Sequence, residues 1–212
     1  MTNLKIIYRA ACLLIGYACG NFLTAEVVTR RMTGRPCAEL GTSGNPGMTN
    51  VMRNLGFRAG ITVLLGDILK TVLAMVLCWT LFGKKIGRIA MFYGGFGAIL
   101  GHDFPVWQHW RGGKGIACCG ALLVLYSPYG FMTLLVALAV MLGSHYLCIG
   151  GVIPPAAFVP TAFLLYGFET GVLSLILTAL FFLKHWPSIR LIPSGACEKV
   201  NVIGMVRGSL RR

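Results

Sequence analysis

Apolar runs separated by short polar stretches follow one another along almost the whole chain. They lie near residues 5–29, 60–82, 86–103, 114–127, 130–150, 152–168 and 171–186. A helix needs about 20 apolar residues to cross a bilayer core of about 30 Å. The pattern therefore predicts an all-α polytopic membrane protein built as a bundle of seven transmembrane helices. The last two runs are short, so five spans with a re-entrant or hairpin pair fit the same pattern.

The polar stretches between the apolar runs differ in charge. Thirteen of the 19 lysine and arginine residues fall in four stretches that face one side of the predicted bundle, residues 30–58, 104–114, 143–151 and 184–212. Lysine and arginine collect on the cytoplasmic side of membrane proteins. We therefore expect these stretches in the cytoplasm and the N-terminus outside.

Composition excludes a water-soluble globule. Hydrophobic residues make up 56% of the chain, charged residues make up 12%, and the mean hydropathy is +0.75, which leaves too few charges to cover a soluble surface. The net charge of +13 belongs to the ends of apolar runs rather than to one basic face, so no nucleic-acid partner is expected. Residues 1–212 are expected to form a single integral-membrane domain in contact with the lipid bilayer.

The stretch Arg111-Gly112-Gly113-Lys114-Gly115 combines glycines with basic side chains directly before an apolar run. Glycine lets backbone N–H groups converge, and a helix N-terminus adds partial positive charge. The combination is typical of a phosphate site. The stretch lacks the spacing and the Ser or Thr of a Walker A motif, which disfavours an ATPase. The alternative role, close packing of helices in lipid, is favoured for Gly97 and its neighbours.

A second glycine-rich stretch runs from Ser43 to Arg53. It offers hydroxyl groups, amides and a guanidinium, which grips phosphate through two hydrogen bonds. The alternative is a polar turn with a helix cap. Because both glycine-rich stretches are predicted on the same side of the membrane, we interpret them as two parts of one site. The candidate residues in this stretch are Ser43, Gly44, Asn45, Gly47, Thr49, Asn50 and Arg53.

Four charged residues in or directly beside the apolar runs form two pairs at helical spacing. Asp67 and Lys70 are three residues apart, and Glu26 and Arg30 are four apart. Each pair therefore shares a helix face and is expected to neutralise its charges within the protein.

Two histidines, His102 and His185, stand where an apolar run meets a polar loop, which is the place for a base or a phosphate ligand. The sequence contains no metal-binding pattern of His and Cys and no paired-carboxylate spacing, so no metal site is predicted. Its eight cysteines include no C-x-x-C pair. We interpret them as small packing residues in a reducing or lipid setting.

Taken together, these motifs resemble those of the bacterial membrane acyltransferases that move a fatty acyl group from acyl phosphate to glycerol 3-phosphate. The resemblance spans nearly the whole chain. The first of three cytoplasmic motifs is matched by Ser43-Gly44-Asn45-Pro46-Gly47 with Thr49, Asn50 and Arg53. The second is matched by Gly101-His102, Phe104-Pro105 and Arg111 to Gly115, and the third by His185, Ile189, Arg190, Gly195 and Glu198.

The chain departs from the family pattern at four places. Ser188 replaces an asparagine three residues after the histidine of the third motif, and Glu198 comes one residue late. Cys148 and Gly151 replace a pair of serines, and Gly20-Asn21-Phe22-Leu23 replaces Gly-Ser-Ile-Pro. An inactive paralogue of the acyltransferase therefore stays open beside the active enzyme.

The resemblance implies a reaction that yields 1-acyl-glycerol 3-phosphate and phosphate in phospholipid biosynthesis. The implied substrates are acyl phosphate and glycerol 3-phosphate, with no cofactor and no obligate protein partner. The implied location is the bacterial inner (plasma) membrane, which the chain crosses several times with its site facing the cytoplasm. A membrane transporter of a phosphorylated anion would need similar loops, but the sequence shows no paired halves of inverted topology.

The resemblance also implies roles for individual residues. Lys114 and the N–H groups of the loop glycines would neutralise one phosphate with help from the first motif, and His185 with Ser188 would orient glycerol 3-phosphate. The expected catalytic residues are Ser43, Arg53, Lys114 and His185. The expected substrate-binding residues are Gly44, Asn45, Gly47, Thr49, Asn50, His102, Gly112, Gly113, Gly115, Ser188 and Glu198.

Overall fold

The computed structural model describes residues 2–200, which are largely helical and contain no strand. The α-helices in this range are α1 Thr2–Gly20, α2 Thr24–Thr33, α3 Met48–Leu55, α4 Phe57–Ile86, α5 Ile89–Asp103, α6 Ile116–Tyr126, α7 Pro128–Ser144, α8 Leu147–Tyr166 and α9 Phe168–Ile189. Two short 3-10 turns, Cys37–Glu39 and Val106–Gln108, interrupt the loops. The described residues fall into two compact units, residues 2–122 and 123–200. Residues 201–212, which belong to the last basic stretch, lie outside the described residues.

Long apolar helices confirm that the chain is an all-α membrane protein. Four helical stretches are long and apolar enough to cross a bilayer: Asn3–Thr33, Phe57–Ile86, Leu147–Tyr166 and Phe168–Ile189. Large apolar side chains lie on the surface of these helices; Leu69 on α4 is 63% exposed and Leu164 on α8 is 82% exposed. Such a continuous apolar surface is unfavourable in water, whereas lipid solvates it.

Two helix boundaries differ from the apolar runs. The first run is predicted as one helix over residues 5–29, but α1 ends at Gly20 and α2 begins at Thr24. The run 130–150 is likewise divided, because α7 ends at Ser144 and His145 adopts a left-handed conformation with φ 62°. The apolar composition continues across both breaks, so hydrophobicity alone does not reveal them.

Small residues hold α1 close to α5 in the first unit. A Cβ atom at Gly16 would overlap the carbonyl oxygen of Gly94, and one at Gly97 would overlap the carbonyl oxygen of Leu13. Backbones that approach this closely are typical of membrane helices, in which van der Waals packing replaces the hydrophobic effect. The predicted packing role of Gly97 is confirmed.

Polar side chains on the apolar helices of the second unit bond within the protein. Ser174 and Thr178 donate to the carbonyl oxygens of Thr170 and Ser174, four residues earlier on α9. The Tyr166 hydroxyl donates to the Ser127 Oγ, at 2.9 Å. These bonds remove the cost of placing hydroxyl groups in lipid.

The cysteines behave as the sequence predicts. All eight are free thiols, and every one except the half-buried Cys19 is buried. They fill space between helices, as small apolar residues do.

Candidate active site

The first motif lies in the loop between α2 and α3, and Glu26 anchors the start of that loop. One carboxylate oxygen of Glu26 accepts a hydrogen bond from the Arg30 Nε at 2.5 Å, and the other accepts one from the Cys37 backbone N–H at 2.8 Å. This confirms the predicted Glu26–Arg30 pair. Burial raises the pKa of the Cys37 thiol, and the Glu26 carboxylate raises it further.

The polar residues of the first motif divide into exposed and structural groups. Ser43 and Arg53 are exposed, and the Ser43 Oγ accepts a long hydrogen bond from the Asn45 N–H at 3.4 Å. Gly47 is the N-cap residue of α3, on which Thr49, Asn50 and Arg53 lie. Ser43, Gly44, Asn45 and Gly47 therefore precede the short helix α3, Thr49 lies in its first turn, and Arg53 lies in its last turn.

Asn50 is engaged within the protein. Its side-chain Nδ2 donates to the Leu40 carbonyl oxygen at 3.0 Å, and its Oδ1 accepts from Asn54 at 3.1 Å. The side chain is buried. Asn50 therefore braces the loop that carries Ser43, and its expected contact with substrate stays a prediction.

The second motif folds back onto the end of α5. The Gly112 N–H donates to the Asp103 carbonyl oxygen at 3.2 Å, and the Gly113 N–H donates to the His102 carbonyl oxygen at 3.0 Å. These two N–H groups therefore complete the C-terminus of α5. Both N–H groups are occupied by α5 carbonyls, and a phosphate-binding role of Gly112 and Gly113 stays a prediction.

Glycine is required at these two positions because the loop lies directly against α5. A Cβ atom at Gly112 would overlap the His102 carbonyl oxygen, and one at Gly113 would overlap the His102 ring at Nε2. His102 is buried, so the loop contacts both its backbone and its imidazole. His102 therefore lies directly against the second-motif loop.

Lys114 lies between this contact and the start of α6. The next residue, Gly115, has a φ of 66°, which is unfavourable for other residues. Helix α6 begins at Ile116, and the Gly115 carbonyl accepts the Cys119 N–H at 2.8 Å. The first N–H groups of an α-helix have no acceptor within the helix, so a lysine and a helix N-terminus stand side by side, as the sequence predicts for a phosphate site.

The break between α1 and α2 holds the other end of the second-motif loop. The Tyr17 hydroxyl donates to the Phe104 carbonyl oxygen at 2.7 Å. The Asn21 Oδ1 accepts from the Val106 N–H at 3.1 Å, and the Asn21 carbonyl accepts from the Trp107 indole at 2.8 Å. Sequence reasoning missed this role, although a lone asparagine inside an apolar run was a visible signal.

Beneath the second motif lies a buried cluster of three ionisable residues, Asp67, Lys70 and His102. The Lys70 Nζ is 2.8 Å from the Asp67 Oδ1 and 2.8 Å from the His102 Nδ1. The predicted Asp67–Lys70 pair is confirmed, but His102 is an additional partner. With the Cys118 thiol, Asp67 and His102 form the one group of three possible metal-binding side chains found among residues 2–200. The Lys70 ammonium already supplies the positive charge between Asp67 and His102.

The third motif lies in the second unit, at the end of α9. His185 is fully buried, and its Nδ1 is 2.8 Å from the Phe181 carbonyl oxygen. A carbonyl only accepts, so Nδ1 carries a proton, and Nε2 is the acceptor nitrogen whenever the ring is neutral. Ser188 is half-buried in the last turn of α9, and Glu198 is exposed beyond it.

Cys148 is also in the second unit. Its Sγ lies 3.8 Å from the Sγ of Cys197. Cys197 directly precedes Glu198 in the chain. The Val200 N–H donates to the His145 carbonyl oxygen at 2.8 Å. These contacts attach the end of the third motif to the start of α8.

A lipid-exposed helical fold with a basic glycine loop before a helix N-terminus defines an integral membrane protein suited to phosphate-bearing substrates. Residues 10–195 match the model of the family described as "Glycerol-3-phosphate acyltransferase". The chain belongs to this family and is an acyltransferase.

Curated relatives share the family over nearly their full length. Glycerol-3-phosphate acyltransferase 1 of Lactobacillus acidophilus is 35% identical over 207 residues, which cover 95% of this chain and 97% of the relative. Glycerol-3-phosphate acyltransferase of Enterococcus faecalis is 33% identical over 201 residues, which cover 89% of this chain and 90% of the relative.

Two solved structures share the fold. Both are crystal structures of PlsY (YgiH), an integral membrane glycerol 3-phosphate acyltransferase. The glycerol 3-phosphate form has a TM-score of 0.81 at 24% identity, and the lysophosphatidic acid form has a TM-score of 0.79 at 23% identity. Each match covers 93% of this chain and 98% of the solved chain.

Proposed function

We propose that this chain transfers a fatty acyl group from acyl phosphate to glycerol 3-phosphate and releases 1-acyl-glycerol 3-phosphate and inorganic phosphate. Family membership and the curated relatives support the acyltransferase reaction with glycerol 3-phosphate as acceptor. The motif resemblance supports acyl phosphate as the donor. The sequence has no histidine followed five residues later by aspartate, the pattern of acyltransferases that use acyl-CoA.

The position of Lys114 carries this proposal. Lys114 stands two residues before the first residue of α6, whose N-terminus adds partial positive charge. Acyl phosphate is a mixed anhydride with a good leaving group, so catalysis depends mainly on holding two phosphate-bearing substrates in attack geometry and on neutralising charge. The family membership and this arrangement favour the acyltransferase over an anion transporter.

We assign the remaining roles by motif. Ser43 and Arg53 bind phosphate together with Lys114, and Gly44, Asn45, Gly47 and Thr49 shape the first-motif loop around them. His102, Gly112, Gly113 and Gly115 position Lys114, while Asn50 braces the first-motif loop. His185, Ser188 and Glu198 orient glycerol 3-phosphate.

In the reaction, a hydroxyl oxygen of glycerol 3-phosphate bonds to the acyl carbon, and the bond from that carbon to the phosphate oxygen breaks. The hydroxyl proton passes either to the His185 Nε2 or to a phosphate oxygen of the donor. The tautomer of His185, with its proton on Nδ1, leaves Nε2 as the basic nitrogen. No cofactor takes part in this scheme.

The proposed topology places the loops of the motifs in the cytoplasm. Helices α1 and α4 to α9 each cross the bacterial inner membrane, which gives seven crossings within one membrane domain of residues 1–212. The excess of lysine and arginine in the motif stretches supports an N-terminus on the outside.

Replacing Lys114 with alanine tests the function. Purified protein in lipid nanodiscs is given palmitoyl phosphate with and without glycerol 3-phosphate, and released phosphate and lysophosphatidate are measured. The wild type should release both products in equal amounts, and only with the acceptor present. Lys114→Ala should lose at least about 100-fold of the rate, because a charge-stabilising group is removed.

The matched control is Lys84→Ala, which removes an exposed lysine at the end of α4. It should keep the wild-type rate, and all three proteins should melt at similar temperatures. Wild-type turnover by Lys114→Ala would remove Lys114 from the site. No product from folded wild-type protein would overturn the acyltransferase, and Ser188→Asn, which restores the family asparagine, would then show whether a weakened third motif is the cause.

A further inference from the structure

Lys70 sits in a closed cage formed by the Asp67 carboxylate, the His102 imidazole and the Phe22 carbonyl. Its Nζ lies 2.8 Å from the Asp67 Oδ1, 2.8 Å from the His102 Nδ1 and 2.8 Å from the Phe22 carbonyl oxygen. An ammonium group can donate three hydrogen bonds and can accept none. Lys70 is 6% exposed and Asp67 is 3% exposed, so the cage is buried and joins three elements: the link between α1 and α2, α4, and the end of α5.

This cage determines which nitrogen of His102 carries the proton. The His102 Nδ1 faces two groups, the Lys70 Nζ at 2.8 Å and the Asp67 Oδ1 at 3.5 Å. Lysine only donates and is the nearer of the two, which favours an unprotonated Nδ1 that accepts from it. A second proton on the ring would place a positive charge directly against the ammonium. The geometry of the cage therefore favours a neutral His102 ring with its proton on Nε2.

The Nε2 side of this ring contacts the second-motif loop. A Cβ atom at Gly113 would overlap the His102 Nε2, and the His102 carbonyl oxygen accepts the Gly113 N–H at 3.0 Å. Lys114 follows Gly113 directly in the chain. Lys70 thus acts on one side of His102, and the loop that carries Lys114 rests on the other side.

We propose that Lys70 is a positioning residue for acyl transfer: it fixes the tautomer and orientation of His102, and His102 in turn fixes the loop that presents Lys114 to phosphate. This inference rests on the proposed function, in which Lys114 neutralises phosphate. Asp67 balances the charge of Lys70, which makes the buried ammonium tolerable. A purely structural Asp67–Lys70 pair makes a different prediction, because replacing both charges together would then leave the His102 tautomer and the rate of chemistry unchanged.

The double variant Asp67→Asn with Lys70→Met separates the two interpretations. It removes one negative and one positive charge, so no uncompensated charge remains in the core. Protein with ¹⁵N-labelled histidine is studied in lipid by solid-state NMR, which reports the nitrogen that carries the proton. The chain has four histidines, and the His102 signal is assigned by its disappearance in His102→Asn.

In the wild type, His102 should show a proton on Nε2 alone. In the double variant this form should give way to a mixture that includes a proton on Nδ1. The kcat for acyl transfer should fall at least tenfold, while the KM for glycerol 3-phosphate changes less than threefold. The matched control Lys84→Met, an exposed lysine on the same helix, should change neither the spectrum nor the rate.

Three results would overturn the role of Lys70. The first is a proton on the Nδ1 of His102 in the wild type, which needs no variant and applies even if the double variant does not fold. The second is an unchanged His102 spectrum in the folded double variant, and the third is an unchanged kcat. Failure of the proposed function is recognised separately, because wild type and Lys84→Met would then both lack acyl transfer.

Discussion

Single residues outside the three motifs hold the motif loops in place. Glu26 accepts hydrogen bonds from Arg30 and from the Cys37 backbone, and the Cys37 Sγ lies 3.8 Å from the Asn45 carbonyl oxygen. Glu26 is buried, so breaking either bond leaves a carboxylate oxygen without its partner. The conformation of the first motif thus depends on a residue of α2.

Replacing Glu26 with glutamine should loosen this loop. Losing a buried charged hydrogen bond costs about 1.5–3 kcal/mol, which should expose Cys37 more often and speed its alkylation by N-ethylmaleimide about tenfold or more. The matched control is Glu39→Gln, an exposed glutamate of the same loop. Labelling of the Cys37 peptide is followed by mass spectrometry, and equal rates in the two variants would show that Glu26 does not hold the loop.

The pKa of Cys37 gives the same experiment a pH dependence. Burial, and then the Glu26 carboxylate, raise this pKa above its ordinary value of 9.0. The thiolate is the reactive form, so wild-type labelling should still be rising steeply at pH 9. Because the folded pKa is raised, the buried neutral thiol stabilises the loop below pH 9, and this contribution is lost as the pH rises through the folded pKa. In Glu26→Gln the rate of Cys37 labelling should rise at a lower pH than in the wild type.

At the scale of elements, contacts between helices determine the helix breaks that hydrophobicity along the chain does not predict. The sequence predicts the apolar runs, the Asp67–Lys70 pair and the packing role of Gly97, because each depends on spacing along one helix. It does not predict the break at Asn21, since that break is stabilised by hydrogen bonds to Val106 and Trp107, 85 and 86 residues away. For the same reason, the bond between Lys70 and His102 and the use of the Gly113 N–H by α5 were invisible in the sequence.

The close contact of α1 with α5 can be tested by two alanine substitutions of opposite effect. Gly16→Ala places a Cβ against the Gly94 carbonyl oxygen and should destabilise the protein by about 1–3 kcal/mol, the cost of overpacking. Gly143→Ala adds the same atom to α7, where nothing lies within 4 Å. It should be neutral or stabilising by up to about 1 kcal/mol, because alanine favours helix.

The thermal midpoints of both glycine variants in detergent provide the measurement. Gly16→Ala should melt at a lower temperature than wild type, and Gly143→Ala at the same or a higher temperature. An unchanged midpoint for Gly16→Ala would contradict the direct backbone contact between α1 and α5.

At the scale of the whole molecule, helix length bears on how the chain meets the bilayer. At 1.5 Å per residue, the 30 residues of α4 span about 45 Å, whereas the 15 residues of α5 span about 22 Å and the 11 residues of α6 about 16 Å. A hydrocarbon core is about 30 Å thick. If α5 and α6 both cross it as proposed, the loop between them enters the cytoplasmic leaflet. Lys114 then reaches the depth at which a lipid-dissolved acyl phosphate carries its phosphate.

The proposed topology is tested with two single cysteine substitutions and a membrane-impermeant maleimide. Lys85→Cys lies at the end of α4, and Ser194→Cys lies beyond α9; both positions are exposed, and seven of the eight native cysteines are buried. Lys85→Cys should be labelled in spheroplasts and Ser194→Cys in inside-out vesicles, with the wild-type chain as the background control.

The reverse pattern of labelling would place the basic motif loops outside the cell and overturn the cytoplasmic site. Labelling of both cysteines from one side would contradict the topology in another way. Helices α5 to α9 lie between the two positions, and the seven-crossing arrangement makes all five cross the bilayer. An odd number of crossings must put Lys85 and Ser194 on opposite sides, so labelling from one side requires an even number of true spans among α5 to α9.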